Sequence, residues 1–156
     1  METKLVRIAQ IAKESSKEVF TSLYHHLNEE MLTQAHLELK GNKAVGVDEI
    51  TKANYTENLK ENIHNLVEAL KKHSYKPQPV RRVYIPKGED RRPLGIPSYE
   101  DKIVQLGLTK ILQAIYEADF LPCSYGFRPK IGCHDALRRI NDILFMERLT
   151  TSWIPI

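Results

Sequence analysis

The chain has 156 residues and a mass of 18.0 kDa, which suits one ordinary domain or one well-covered part of a larger one. With 42% hydrophobic and 28% charged residues, the composition allows a packed core and excludes wholesale disorder. The net charge of only +3 excludes a histone-like basic protein, although a net total does not show where the charges lie.

The positive charge is concentrated in one short segment. Residues 76–92 have a net charge of +4, so the rest of the chain has a net charge of −1. The basic residues of this segment are Lys76, Arg81, Arg82, Lys87, Arg91 and Arg92. Such a concentration is typical of a site that binds a polyanion. The alternative interpretation is a solvated surface without a ligand.

The cysteines and histidines do not form a metal-binding pattern. Cys123 and Cys133 are too few for a disulfide framework, and we expect them to be buried free thiols. Together with His134 they lack the spacing of a zinc site. The remaining histidines also lack ligand spacing and are expected at or near the surface: His25, His26, His36, His64 and His73.

The chain has no apolar run near the roughly 20 residues that span a membrane. Its N-terminus lacks the apolar block and cleavage site of a secretory signal. The sequence therefore predicts a cytoplasmic protein with reduced thiols and no membrane partner.

The N-terminal segment, residues 1–38, has the pattern of two helices. Apolar residues repeat at helical spacing from Leu5 to Ala12. Ser15 and Glu18 then have the spacing of a capping box, which predicts that a second helix begins there.

Residues 39–75 are predicted to form a glycine-containing loop and a strongly amphipathic helix. Asn54 and Glu57 have the spacing of a helix cap, which predicts that the helix begins at Asn54. Its apolar residues fall on one stripe: Leu59, Ile63, Leu66, Val67 and Leu70.

Residues 76–97 have the pattern of a β-hairpin with an exposed basic tip. The period of two from residue 80 to residue 85 places Arg81 on one face and Arg82 on the other. A polar turn follows Pro86, and residues 92–96 return as a second short strand.

Residues 98–156 are predicted to hold the main core helix, an irregular segment at 121–132 and a last helix from about Cys133. Ser98 and Asp101 have capping-box spacing before a very apolar run, which is typical of a core helix. The sequence therefore predicts an α+β fold, mostly helical with one antiparallel β-hairpin, in one structural unit.

Three blocks of sequence occur together in this chain. They are Gly46–Thr51; Tyr75–Lys87 with Arg92–Pro97 and Glu100–Gln105; and Ser124–Pro129 with Cys133–Leu137. In this order and spacing they resemble the N-terminal blocks of group II intron reverse transcriptases, also called intron-encoded maturases. The resemblance covers residues 23–144 and implies the fingers region of such an enzyme. In the first block, Glu49 stands where the family usually has Gly.

The resemblance implies roles for individual residues. Lys87 and Arg92 match fingers residues that hold the triphosphate of an incoming nucleotide. Template or other nucleic-acid contacts are implied for Arg81, for its neighbours Arg82 and Arg91 in the hairpin, for Lys43 in the loop at about residues 40–47, and for Phe127 and Arg128 in the third block. The implied partners are intron or template RNA and, in the complete enzyme, a deoxynucleoside triphosphate.

No catalytic residue and no cofactor are assigned to this chain. The family polymerises with two Mg²⁺ ions held by palm-domain aspartates, and the chain contains no two adjacent aspartates. We therefore expect a fingers fragment that is inactive alone, with Mg²⁺ needed only in the complete enzyme. An apolar surface that the palm would otherwise cover is expected to allow self-association. The alternatives are a non-catalytic RNA-binding module and a non-functional remnant of a disrupted retroelement gene.

Overall fold

Six α-helices and one two-stranded antiparallel sheet make up the computed structural model, which describes residues 2–15, 18–21 and 23–146. In chain order the elements are α1 (Glu2–Glu14), α2 (Glu29–Glu38), α3 (Lys52–Glu57), α4 (Leu59–Lys71), β1 (Arg81–Lys87), β2 (Asp90–Ile96), α5 (Tyr99–Tyr116) and α6 (Cys133–Met146). The predicted α+β class, mostly helical with one hairpin, is confirmed. The end of the last predicted segment, residues 147–156, lies outside the described residues.

Helix α5 is the centre of the packing, because α1 and α2 both lie against it and α4 packs on α2. Ser98 caps α5 as predicted, with its hydroxyl accepting from the Asp101 N–H at 3.3 Å. The largest fully buried apolar side chains are Met31, Leu32, Ile63, Val67, Ile103 and Ile111. The opposite side of α5 stays exposed at Leu108, Leu112 and Tyr116, so its apolar surface is only partly used in the described residues.

The second helix does not begin at Ser15 as the capping-box spacing predicted. It begins at Glu29, where Asn28 Oδ1 accepts from the Met31 N–H at 3.0 Å. A short 3₁₀ turn at Tyr24–His26 precedes it. The prediction failed because Asn28 offers an equally good cap, followed by two acidic residues that favour a helix N-terminus.

The amphipathic helix likewise begins earlier than predicted and in two parts. Thr51, rather than Asn54, is the N-cap of α3, and its hydroxyl accepts from the Asn54 N–H at 3.3 Å. Asn58 leaves the helical conformation, with φ −119° and ψ 37°, and α4 begins at the next residue. The apolar stripe is confirmed, since its members from Ile63 to Leu70 are buried.

Helix α6 begins at Cys133 as predicted, but its apolar face is exposed among the described residues. Leu137, Ile140 and Leu144 are all more than half exposed. Cys123 and Cys133 are free thiols, and both are exposed rather than buried, which corrects the prediction. In the part of the chain that the structure describes, no helix is long and apolar enough to cross a bilayer.

Candidate nucleic-acid interface

The basic hairpin is a two-stranded ribbon that stands away from the helices. Val83, Tyr84 and Ile85 supply the β-branched and aromatic residues that favour a strand, and the two strands pair in register from Arg81 with Ile96 to Lys87 with Asp90. The connection is a two-residue turn, where Gly88 adopts φ +62° without the steric cost that a side chain would bring. The strand continues through Pro86, so the turn is tighter than the sequence predicted.

The register divides the hairpin's cations between two faces. Directly paired residues in an antiparallel ribbon share a face, and successive residues alternate. The face we call the Lys87 face contains Arg81, Val83, Ile85, Lys87, Asp90, Arg92, Leu94 and Ile96. The face we call the Arg82 face contains Arg82, Tyr84, Pro86, Arg91, Pro93 and Gly95. The predicted split of Arg81 from Arg82 is thus confirmed, and Lys87 and Arg92 lie on one face near the tip.

The hairpin's basic side chains are available to a ligand. All five, and Lys76 which precedes β1, are exposed; the five are Arg81, Arg82, Lys87, Arg91 and Arg92. Within the described residues none of their side chains makes a hydrogen bond or an ion pair with another protein group. Several like charges on one narrow ribbon repel one another, and a bound polyanion relieves that repulsion.

Asp101 fixes the hairpin to the first turn of α5. Its carboxylate accepts from the Tyr75 hydroxyl and from the Gln78 N–H (3.1 Å), which precede β1, and from the Ser98 hydroxyl (2.7 Å), which follows β2. Burial raises the pKa of Tyr75, and the hydrogen bond to Asp101 raises it further. Asp101 therefore holds both ends of the ribbon, a role that its position as a predicted cap did not reveal.

The loop that carries Lys43 is attached to the same turn of α5. Asp48 Oδ2 accepts from the Tyr99 N–H at 2.8 Å, and Lys102 Nζ donates to the Ala44 carbonyl at 2.6 Å. At Gly46 the approach is so close that a Cβ would lie 2.6 Å from the Pro97 carbonyl oxygen. The Lys43 side chain itself is exposed. The structure thus brings the Lys43 loop to the base of the basic hairpin.

A buried polar cluster supports the helices behind this loop. His36 is almost fully buried, with Nδ1 3.1 Å from the Tyr99 hydroxyl and Nε2 3.2 Å from the Thr56 hydroxyl. Burial lowers the pKa of His36, and the charge of Lys52 acts in the same direction. The expectation of a surface position was wrong for His36 and also for His26, which is buried too. His36 stands four residues after the core residue Leu32 and therefore on the same face of the helix, a spacing that indicates burial.

In the loop of the third block, the adjacent residues Phe127 and Arg128 differ in their exposure to solvent. Phe127 is fully exposed at φ +57°, in the left-handed region that side chains other than glycine rarely adopt. Arg128 is instead turned inward, with a side chain only 13% exposed. Its guanidinium donates to Glu117 Oε1 from Nη2 (2.7 Å) and from Nε (3.1 Å). Of these two predicted contacts, only Phe127 faces solvent.

Comparison with known proteins connects this geometry to a family. No protein-family model matches the chain. It is similar to the group II intron-encoded protein LtrA of Lactococcus lactis subsp. cremoris, with 40% identity over 143 residues, covering 88% of this chain and 23% of that protein. It is also similar to the protein YkfC of Escherichia coli K12, with 41% identity over 106 residues, covering 67% of this chain and 28% of YkfC. A third relative is an uncharacterised 91 kDa protein in a cob intron of Schizosaccharomyces pombe, 44% identical over 79 residues, covering 50% of this chain and 10% of that protein.

These comparisons confirm the resemblance drawn from the three blocks. The chain contains a region of the group II intron-encoded reverse transcriptase and maturase family. It spans less than a third of the length of LtrA and of YkfC.

Proposed function

We propose that this chain is the fingers region of a group II intron-type RNA-directed DNA polymerase, which contacts the RNA template and the nucleotide triphosphate and does not polymerise alone. One observation supports this most directly. The basic hairpin exposes five cations, and Lys76 before it a sixth, and none of them forms an ion pair with a described protein group. A polyanion is the ligand that such a ribbon fits.

The two faces suit two kinds of phosphate. On the Lys87 face, Lys87 supplies a compact charge and Arg92 a bidentate fork, and both lie near the tip. That pairing suits the clustered charges of a triphosphate. Arg81 lies at the other end of the same face, where the RNA template would pass the base of the hairpin. On the Arg82 face, Arg82 and Arg91 are spread along the ribbon and suit the spaced charges of a nucleic-acid backbone.

Lys43 extends the proposed surface to the loop attached at the first turn of α5. The loop is bound to Tyr99 and Lys102 and the hairpin to Asp101, so both are fixed to the same turn of α5. A strand that crosses the hairpin base therefore also passes the loop. Lys43 would add one more phosphate contact to the RNA.

That Mg²⁺ acts only in the complete enzyme, and not on the residues of this chain, stays a prediction. Among residues 2–15, 18–21 and 23–146 there is no cluster of three or more histidine, cysteine or carboxylate side chains that would hold a metal ion. We therefore assign no metal-dependent step to these residues. Self-association likewise stays a prediction, for which the exposed apolar faces of α5 and α6 are the surfaces to test.

The proposal predicts that triphosphate binding depends on one face of the hairpin. We expect the K87Q/R92Q double variant to bind a fluorescent deoxynucleoside triphosphate about tenfold or more weakly, because two charge-assisted contacts are lost. Fluorescence anisotropy at low salt measures this affinity. R82Q/R91Q is the matched control, because it removes the same charge from the opposite face of the same ribbon. Equal losses in the two variants would contradict the assignment and favour a non-catalytic RNA-binding module.

A further inference from the structure

Arg128 is held inside the third block by four hydrogen bonds. Besides its two bonds to Glu117, its Nη1 donates to the carbonyl oxygens of Ser124 (2.8 Å) and Leu121 (3.2 Å). Its guanidinium carbon also lies 5.2 Å from the centre of the Phe120 ring, within cation–π distance. Most of its donors are therefore already used by the protein.

These contacts connect the end of α5 to the loop that follows it. Glu117 is the C-cap residue of α5, and Leu121 and Ser124 lie in the irregular segment beyond it. One planar guanidinium thus fixes the helix end and two points of the loop. The other Glu117 oxygen is buried and has no hydrogen-bond partner among the described residues, so this carboxylate depends on Arg128 for its compensation.

The loop that Arg128 holds in place exposes the side chain of Phe127. Its backbone has φ +57° and its ring contacts solvent on all sides in the described structure. An exposed aromatic ring at a strained backbone position is a local cost that indicates a function rather than core packing. Unpaired nucleobases stack on such rings, irrespective of base identity.

We propose that Arg128 is a positioning residue that binds no phosphate, and that together with Glu117 it holds the loop so that Phe127 stacks on an unpaired base of the nucleic acid. This inference rests on the proposed function, since it concerns the same RNA-binding surface. It differs from the role implied by the resemblance, in which Arg128 itself contacts the template.

The two possible roles of Arg128 predict opposite effects of the E117Q substitution on RNA binding. If Arg128 bound phosphate, the E117Q substitution would free its guanidinium, so RNA would bind more tightly and with a steeper salt dependence. If Arg128 positions the loop, E117Q loosens the loop and weakens RNA binding without changing the salt slope. D119N is the matched control, because it removes the charge of an exposed carboxylate two residues away that has no hydrogen-bonded or ion-paired partner in the described structure.

The experiment measures the affinity of the chain for a single-stranded RNA over a range of salt concentrations. We expect F127A to weaken binding by about tenfold, as the loss of one stacked base does. E117Q, R128Q and R128K should each weaken binding by a similar or smaller factor, with a salt slope equal to that of the unsubstituted chain. Lysine should not rescue, because it cannot bridge a carboxylate and two carbonyl groups as the guanidinium fork does.

The decisive comparison is made in the F127A background. There, E117Q should cause no further loss, because the ring that the loop presents is already gone. The inference would be overturned by retained affinity in R128K, by a salt slope about 0.7 to 0.9 lower in R128Q, or by tighter binding in E117Q but not in D119N. Should R128Q fail to fold, the E117Q and D119N pair decides alone. A chain that binds no RNA at all would instead contradict the proposed function.

Discussion

Replacing Gly46 with alanine is expected to lower the free energy of unfolding by about 1–3 kcal/mol, because the added methyl group has no room. Its Cβ would lie 2.6 Å from the Pro97 carbonyl oxygen, 2.7 Å from Ser98 Cα and 2.8 Å from Asp48 Oδ1. The first two are backbone atoms that cannot rotate away. The loop must therefore move off α5, and Asp48 loses its hydrogen bond to the Tyr99 N–H.

Urea denaturation measures this loss, and Gly41 provides the control. A Cβ at Gly41 would meet only the flexible Lys52 side chain, at 3.8 Å, although the residue lies in the same loop. We expect G41A to be neutral or to stabilise the fold by up to about 1 kcal/mol, since alanine restricts the unfolded chain. Equal denaturation midpoints for G46A and the unsubstituted chain would show that the loop is not held against α5.

The D101A substitution is expected to cost about 2–4 kcal/mol and to loosen the basic hairpin selectively. It removes the acceptor for the Tyr75 hydroxyl, the Ser98 hydroxyl and the Gln78 N–H, which lie at both ends of the ribbon. Donors left without partners in a buried place retain their desolvation cost. With its ends released, the ribbon has little else to hold it, because its strands pack mainly on each other.

Hydrogen exchange of the cross-strand amides of β1 and β2 measures this loosening separately from global unfolding. We expect these amides to exchange at least about tenfold faster in D101A. The exchange rates of the α4 amides should change only as far as the global free energy of unfolding changes. D142A, which removes an exposed carboxylate from α6, is the control and should leave the hairpin amides unchanged. Unchanged hairpin exchange in D101A would refute the role of Asp101 as the anchor.

Features set by neighbouring residues were predictable from the sequence. The alternation at residues 80–85 predicted that Arg81 and Arg82 lie on opposite faces of the hairpin, and the register confirms it. Ser98 was predicted as a cap because it stands directly before an apolar helical run, and it is one. Ser15 has the same local signal, but the second helix begins at Glu29 with Asn28 as its cap.

Features set by distant residues were not predictable. The partner of Asp48 is the Tyr99 N–H, 51 residues away, and Tyr75 reaches Asp101 over 26 residues. No local pattern encodes such contacts, because they follow from packing of the whole chain. At Glu49 the structure instead explains a feature of the sequence. The family's usual glycine at this place is explained by the φ of +53° that Glu49 adopts here.

The inward position of Arg128 was equally hidden from the sequence. The resemblance implies that Arg128 contacts a ligand. In the structure its side chain instead binds Glu117, which stands 11 residues earlier in the chain. Charge alone therefore did not distinguish a cation that serves the fold from the hairpin cations that have no described protein partner. The structure makes that distinction through exposure and hydrogen bonding.

The salt dependence of RNA binding tests most directly whether the basic hairpin is the polyanion site. We predict that R81Q/R82Q/R91Q lowers the slope of log affinity against log salt by about 2 to 2.7, as the loss of three phosphate contacts requires. K60Q/K71Q/K72Q removes the same charge from α4 and its C-cap residue, where Lys71 and Lys72 pair with Glu68, and should leave the slope almost unchanged. Equal slopes for the two triple variants would contradict the account, since the hairpin would then bind RNA no better than any basic surface.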